Sequence, residues 1–304
     1  MVGADICFVH LGIAIQNLRN SITVFGFQIA FYGIIIGVGM LAGLCVAQAD
    51  ARRRGQNPEI YLDFALYGII FSIMGARIYY VIFEWDMYKE NILQVFNLRA
   101  GGLAIYGGVI AAVITLTVFC RVRKLSFLSL ADTCVLGLVT GQIIGRWGNF
   151  FNCEAFGGYT DSLLAMRIRL SLVSTGMLNQ DVLNHMIVEN GVEYIQVHPT
   201  FLYESLWNLG LLCFMLWYRQ RKEFDGEMLC IYLLGYGLGR FWIEGLRTDQ
   251  LILFQTGIPV SQALSAILVL AAAIYMVVKR TRLEKMGKGE RQDGYFKERT
   301  GKTD

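Results

Sequence analysis

The 304 residues are 55% hydrophobic and only 17% charged, with a formal net charge of +3 and a mean hydropathy of +0.47. A soluble domain is about 25% charged, so this balance excludes a soluble enzyme with one anchor, and no nucleic-acid partner is expected. The composition predicts an all-α, polytopic integral membrane protein: a single transmembrane domain over residues 1–283 and a solvated, disordered cytoplasmic tail over 284–304, held weakly by anionic lipid.

In chain order, Met1 to Asn20 carry no cationic n-region and no small-residue cleavage site, so no cleaved signal peptide is expected. A spanning helix needs about 20 mostly apolar residues. Such runs lie near 25–47, 61–83, 102–120, 130–151, 201–218, 228–246 and 260–278, which predicts seven spans. Basic clusters follow every second one: Arg52 to Arg54, then Arg121, Arg123 and Lys124, then Arg219, Arg221 and Lys222, then Lys279, Arg280 and Arg282. By the positive-inside rule these connections are cytoplasmic. The N-terminus and an extracytoplasmic loop region near 152–199 are then outside, and the C-terminus is cytoplasmic.

Small residues at four-residue spacing let membrane helices approach closely, which accounts for Gly137, Gly141 and Gly145, for Gly33 with Gly37, Gly39 with Gly43, and Gly235 with Gly239. Gly101-Gly102 and Gly107-Gly108 bracket Tyr106, where a flexible helix start and a close backbone approach to a ligand are both open readings. The seven Cys are scattered without a close pair, so neither a disulfide framework nor a zinc site is expected.

Charge inside the apolar runs is more telling. An unpaired guanidinium at membrane depth costs on the order of 3 kcal/mol and ordinarily faces a polar cavity. Arg146 stands in such a run, followed by Asn149, Asn152 and Glu154; His198, Tyr203 and Glu204 open the fifth span; Arg240, Glu244 and Arg247 share one face of the sixth. Two arginines on separate helices suit an anionic phospholipid head group, because a guanidinium offers paired donors to phosphate and stays charged. The competing reading is an internal ion-pair network in which Arg146 and Arg240 neutralise Glu154 and Glu244. Arg77 reads as structural, snorkelling to the interface; Arg167 and Arg169 read as a solvated face; His10 and His185 have no evident partner.

The stretch from Gly145 to Gly157, GRWGNFFNCEAFG, resembles the signature G-R-x-G-N-F-x-N-x-E-x-x-G of bacterial prolipoprotein diacylglyceryl transferases at every fixed position. The resemblance continues at Tyr32-Gly33, Gly75-Ala76-Arg77, Gly101 to Gly108, His198 to Glu204, and Gly239-Arg240-Phe241 with Glu244 and Arg247. It implies transfer of the diacylglyceryl group of phosphatidylglycerol to the lipobox Cys thiol of a prolipoprotein, forming a thioether and releasing glycerol phosphate in the bacterial cytoplasmic membrane. It implies no cofactor and no metal, and a nucleophile that belongs to the protein substrate. By resemblance, Arg146 and Arg240 serve phosphatidylglycerol binding and catalysis, and Tyr32, Asn149, Glu154, Gly157 and Glu244 support activity. Arg247 joins the substrate-binding set. Glu154 and Glu244 are expected to orient the arginines and Asn149 to donate to head-group oxygens.

One departure concerns the proton acceptor. Some members carry His in the glycine-bracketed segment, where this chain has Tyr106. A phenol of pKa near 10 is a weaker base at neutral pH than imidazole. Tyr106 is therefore expected to act by hydrogen bonding, or the base lies elsewhere, or none is needed. A transporter or lipid-binding protein without chemistry is the alternative; against it, the seven runs show no internal repeat and the polar residues gather toward one side of the membrane.

Overall fold

The computed structural model describes residues 3–98, 101–252 and 257–300, with side chains through 285. Seven helices of at least 18 residues stand among the described residues: α1 (Phe31–Arg53), α2 (Glu59–Phe83), α3 (Ile105–Arg123), α4 (Phe127–Phe151), α5 (Thr200–Tyr218), α6 (Glu227–Glu244) and α7 (Val260–Thr300). Five of them, α1 to α4 and α7 over Val260–Lys285, are long and apolar enough to cross a membrane. The expected sixth and fifth spans, α6 and α5, fall outside that group. Glu204 and Asn208 interrupt the apolar surface of α5, and Glu227, Arg240 and Glu244 that of α6.

The all-α expectation gives way to a mostly helical fold with a sheet. Strands β1 (Ile6–Phe8), β2 (Ile13–Ile15), β5 (Met166–Arg169), β6 (Ile187–Glu189) and β7 (Val192–Val197) form an antiparallel sheet in the order β2-β1-β5-β7-β6. Strands β3 (Ser21–Val24) and β4 (Phe27–Ala30) pair as a separate hairpin. Strands of three to six residues leave too short an alternation to stand out beside long apolar runs. The hairpin also moves the start of α1 from the expected residue 25 to Phe31. Hydropathy counts Phe25 to Ala30 as membrane helix, whereas positive φ at Phe25 (49°) and Gly26 (82°) turns the chain back, as a two-residue hairpin loop requires.

The chain forms two compact units, residues 1–40 with 139–304, and residues 41–138. In the first, one face of the sheet closes a core of Ile6, Phe8, Met166, Ile168, Ile195 and Val197 over Phe150, Cys153, Phe156 and Phe201. The end of α4 and the start of α5 are thereby anchored by apolar burial. Gly235 and Gly239 of α6 leave room for Leu211 and Trp207 of α5. Arg280 of α7 reaches the fully buried Glu227 at 2.6 Å, and α7 continues through Thr300, so the tail expected to be disordered has helical backbone that far.

Two expectations about loop residues are corrected here. Arg167 and Arg169 are sheet residues with partners, not a solvated face. Arg167 bonds Gln196 at 2.9 Å and Glu189 at 2.7 Å, and Arg169 pairs with Asp5 at 3.1 Å. His10 meets Asp161 at 3.1 Å, and His185 stacks on Tyr159 with ring centroids 4.0 Å apart.

In the second unit the predicted glycine contacts appear. A Cβ on Gly43 of α1 or on Gly137 of α4 would come within 2.5 Å of the other's carbonyl oxygen; Gly107 of α3, read in the sequence as a helix start or an approach to a ligand, packs instead against Gly75 of α2. Gly33 and Gly37, which belong to the first unit, face open space. Arg77 is structural, as expected, but it does not snorkel. It is 5% exposed, and its five N–H groups go to the carbonyls of Gln94, Val95, Asn97, Gly101 and Gly102. That set matches the full donor capacity of a guanidinium, so Arg77 fixes the segment that leads into α3 and Tyr106.

Candidate active site

Three elements of the first unit bring charge together. Arg146 comes from α4, Glu204 from the second turn of α5, and Arg240 and Glu244 from the last turns of α6. Arg146 Nη2 lies 2.5 Å from Glu204 Oε2, and Arg240 Nη1 lies 3.1 Å from Glu204 Oε1. One carboxylate thus holds two guanidiniums, one on each oxygen. Arg240 Nη2 meets Glu244 Oε2 at 2.5 Å one helical turn away. Glu204 is 4% exposed, whereas Arg146 and Arg240 keep 19% and 18% of their side chains open.

Burying a carboxylate costs several kcal/mol, which only close, well-oriented cations offset. The geometry therefore locks the arginines from the buried side, while about a fifth of each side chain stays open on the other. Apolar packing against the sheet holds α4 and α5 in place for this contact. Ser205 Oγ, next to Glu204, donates to the carbonyl of Ile143 on α4 at 3.0 Å.

Arg247 was expected on the same helical face as Arg240. The helix ends at Glu244, and Arg247 returns to the cluster from the following turn, 3.6 Å from Glu204 and 4.0 Å from Glu244. Its main partner is Asp249, which takes two of its nitrogens at 2.9 and 2.7 Å. Burial opposes charge on both groups, and the bidentate pair outweighs it, raising the Arg247 pKa and lowering that of Asp249.

The signature segment forms the rim. After α4 the chain turns through Cys153 and Ala155, both at left-handed φ (49° and 56°), a conformation that costs non-glycine residues about 1–3 kcal/mol each and clusters at functional sites. Glu154, between them, accepts from Asn149 Nδ2 at 2.9 Å and donates its own N–H to the Asn149 carbonyl. The expectation that Glu154 orients Arg146 is thereby corrected: Glu154 holds Asn149, and Glu204 holds Arg146.

Gly157 has a clear steric reason. A Cβ there would sit 2.8 Å from both His198 Cβ and the Leu246 carbonyl. Its N–H bonds the His198 carbonyl at 2.9 Å, and the next N–H bonds that of Leu246. The strand-like passage ties the signature to the start of α5 and to Arg247. Tyr32 lays its ring against Gly148, where a Cβ would collide with it. His198 Nδ1 lies 3.2 Å from the Tyr203 hydroxyl, and burial lowers the imidazole pKa.

Tyr106 stands in the first turn of α3, in the unit of residues 41–138. All seven Cys are free thiols. Cys153, inside the signature, has its pKa pushed up to about 11, first by burial and then by Asp5 and Glu154.

A family model described as prolipoprotein diacylglyceryl transferase matches residues 20–278. The chain belongs to the prolipoprotein diacylglyceryl transferase family. Relatives named phosphatidylglycerol–prolipoprotein diacylglyceryl transferase include one from Clostridioides difficile strain 630, 39% identical over 77% of this chain and 85% of its own length. One from Bacillus mycoides is 39% identical over 93% and 98%, and one from Bacillus cereus strain ATCC 14579 is 41% identical over 90% and 95%. Membership makes the protein a transferase of lipoprotein biosynthesis.

Sequence reasoning named Glu204 at the start of the fifth span but gave it no role in the cluster, and it did not single out Asp249. Glu204 gave the same signal as Arg146, a lone charge in an apolar helix, and it stands in the quoted His198 to Glu204 motif. Asp249 gave no comparable signal, because it lies in a connection where charge is ordinary.

Proposed function

We propose that the protein transfers the diacylglyceryl group of phosphatidylglycerol to the lipobox Cys thiol of prolipoproteins, as a multi-pass enzyme of the bacterial cytoplasmic membrane. The observation that supports this reading most directly is the carboxylate of Glu204 shared by Arg146 and Arg240 beside the signature turn. Two guanidiniums at a spacing set by one buried anion form a receptor for a second anion on their open side. The lipid phosphate fits that description. α5 and α6 complete seven spans in this proposal, with the N-terminus and the arginine cluster toward the outer side and the C-terminus in the cytoplasm.

The substrate thiol, of ordinary pKa near 8.5, is a few per cent thiolate at neutral pH, and a cationic surround increases that fraction. Its sulfur attacks the glycerol carbon that carries the phosphate ester. The new C–S bond forms as the C–O bond breaks, the bonding pair leaves with the phosphate oxygen, and the thiol proton passes to an acceptor or to water. Negative charge grows on the departing glycerol phosphate, where Arg146 and Arg240 stabilise it, an effect worth about 3–4 kcal/mol per donor at comparable sites. Asn149, oriented by Glu154, donates to head-group oxygens. Tyr32 and Gly157 border the lipid, and Arg247 holds the end of the cluster with Glu244.

The deciding experiment incubates the purified protein with phosphatidylglycerol and a lipobox peptide and follows the peptide by mass spectrometry. A thioether-linked diacylglyceryl adduct is expected, with release of glycerol phosphate. An unmodified peptide, with lipid still bound in an arginine-dependent way, would instead favour a lipid-binding or transport role.

A further inference from the structure

The β3–β4 hairpin is amphipathic in a way the sequence pattern alone does not disclose. Its register pairs Ile22 with Ile29 and Val24 with Phe27, alternating with Ser21 opposite Ala30 and Thr23 opposite Gln28. Paired residues share a face and neighbours along a strand alternate. Ile22, Val24, Phe27 and Ile29 therefore form one face, and Ser21, Thr23, Gln28 and Ala30 the other. Gln28 Nε2 donates to Ser21 Oγ at 2.8 Å across the polar face.

The apolar face is left open among the described residues, most of all toward its tip. Phe25 at the tip is 97% exposed and Phe27 71%, with Ile22, Val24 and Ile29 also exposed. An isolated two-stranded hairpin is marginal in water, so a face of this kind calls for a non-aqueous surface. Continuity argues that the surface is lipid. Ala30 runs directly into α1, a candidate membrane span, and the Phe31 N–H bonds the Asn20 carbonyl at 2.8 Å, clamping the hairpin base to the start of that helix. No charged residue occurs from Asn20 to Ala49. The base of the hairpin thus sits where a span leaves the hydrocarbon.

We infer that the β3–β4 hairpin is an interfacial anchor. The face of Ile22, Val24, Phe27 and Ile29 and the Phe25 tip lie in the acyl chains of the leaflet at the N-terminal end of α1. Ser21, Thr23 and Gln28 face the head groups. Amphipathic elements settle in this manner about 5–10 Å into the head-group boundary. Ser21, Ile22 and Thr23 also line a cleft of about 620 Å³ that reaches Asn152 and Cys153 of the signature segment, so anchoring the hairpin fixes one wall of that cleft against lipid. The inference needs α1 to cross a membrane and is independent of the transfer chemistry.

The test uses the full chain in phosphatidylcholine–phosphatidylglycerol vesicles, with Trp introduced as Phe25→Trp or, on the opposite face, Thr23→Trp. Difference emission against the parent removes the five native Trp. The Phe25→Trp emission should shift to the blue and be quenched several-fold more by lipids brominated in mid-chain than by aqueous acrylamide, with the reverse for Thr23→Trp. Equal acrylamide quenching of the two variants would put the hairpin in water and overturn the inference. So would a Phe25→Trp emission shielded from acrylamide yet untouched by brominated lipid. Shielding that grows with protein density would then assign the face to a second copy, and shielding that appears only with added lipobox peptide would assign it to substrate.

Discussion

Arg146 on α4 and Glu204 on α5 meet at 2.5 Å, and the second oxygen of the same carboxylate receives Arg240 of α6. Glu204 is therefore the geometric centre of the cluster. Glu204→Gln removes its charge while keeping its volume, and the two guanidiniums then repel one another across a half-buried gap. Removing one partner of a buried pair costs about 3–5 kcal/mol, so thermal stability in detergent should fall measurably. Turnover of a lipobox peptide should drop about 10²-fold or more, the scale of losing preset charge stabilisation, with Glu204→Asp retaining more than Glu204→Gln. Turnover of Glu204→Gln near that of the parent would remove Glu204 from the site.

Arg146→Lys and Arg240→Lys keep the charge and lose the planar fork. Each should lower turnover greatly while membrane-inserted, folded yield changes little. The check is a transfer assay normalised to folded protein by size-exclusion profile. If both variants turn over normally, the phosphate-clamp role is wrong.

For Tyr106 a hydrogen-bonding role in transfer predicts that Tyr106→Phe slows turnover on the order of 10²-fold. Tyr106→His should then keep measurable activity and move the pH optimum downward, since imidazole titrates far below phenol. A Tyr106→Phe variant whose pH–rate profile overlays that of the parent would leave Tyr106 as an interfacial aromatic.

Burial lowers the pKa of His198 below the ordinary 6.5, so at acid pH the unfolded chain binds a proton that the folded one resists. Its contribution to stability is intact above about pH 6.5 and is lost as the pH falls from the unfolded toward the folded pKa. Melting in detergent at pH 5 and 7.5 should show an acid loss that is smaller in His198→Asn than in the parent. An undiminished acid loss would assign it to other groups.

Alternating basic clusters predict topology. Reporters fused near Arg53, Arg123 or Lys222 should be cytoplasmic, and one between residues 161 and 193 should be outside. A cytoplasmic report from the 161–193 region would reverse the orientation and the side from which substrate arrives.

The sequence by itself determined the membrane class, the rough positions of the seven long helices and the family signature, because hydropathy and motif spacing are properties of contiguous residues. It also marked the arginines that meet in the cluster, since a guanidinium in an apolar run is conspicuous wherever the chain later takes it. Which carboxylate each arginine meets was decided only by the tertiary structure: Glu154 is nearer to Arg146 in the chain than Glu204, yet the left-handed turn at Cys153 and Ala155 delivers it to Asn149. The sheet, too, depends on pairing between Ile6–Phe8 and Met166–Arg169, segments far apart in sequence whose hydrogen bonds leave no local trace. The hairpin before α1 shows the same limit at short range. Hydropathy reports how apolar a residue is, whereas backbone pairing and the turn at Phe25-Gly26 decide which way it faces.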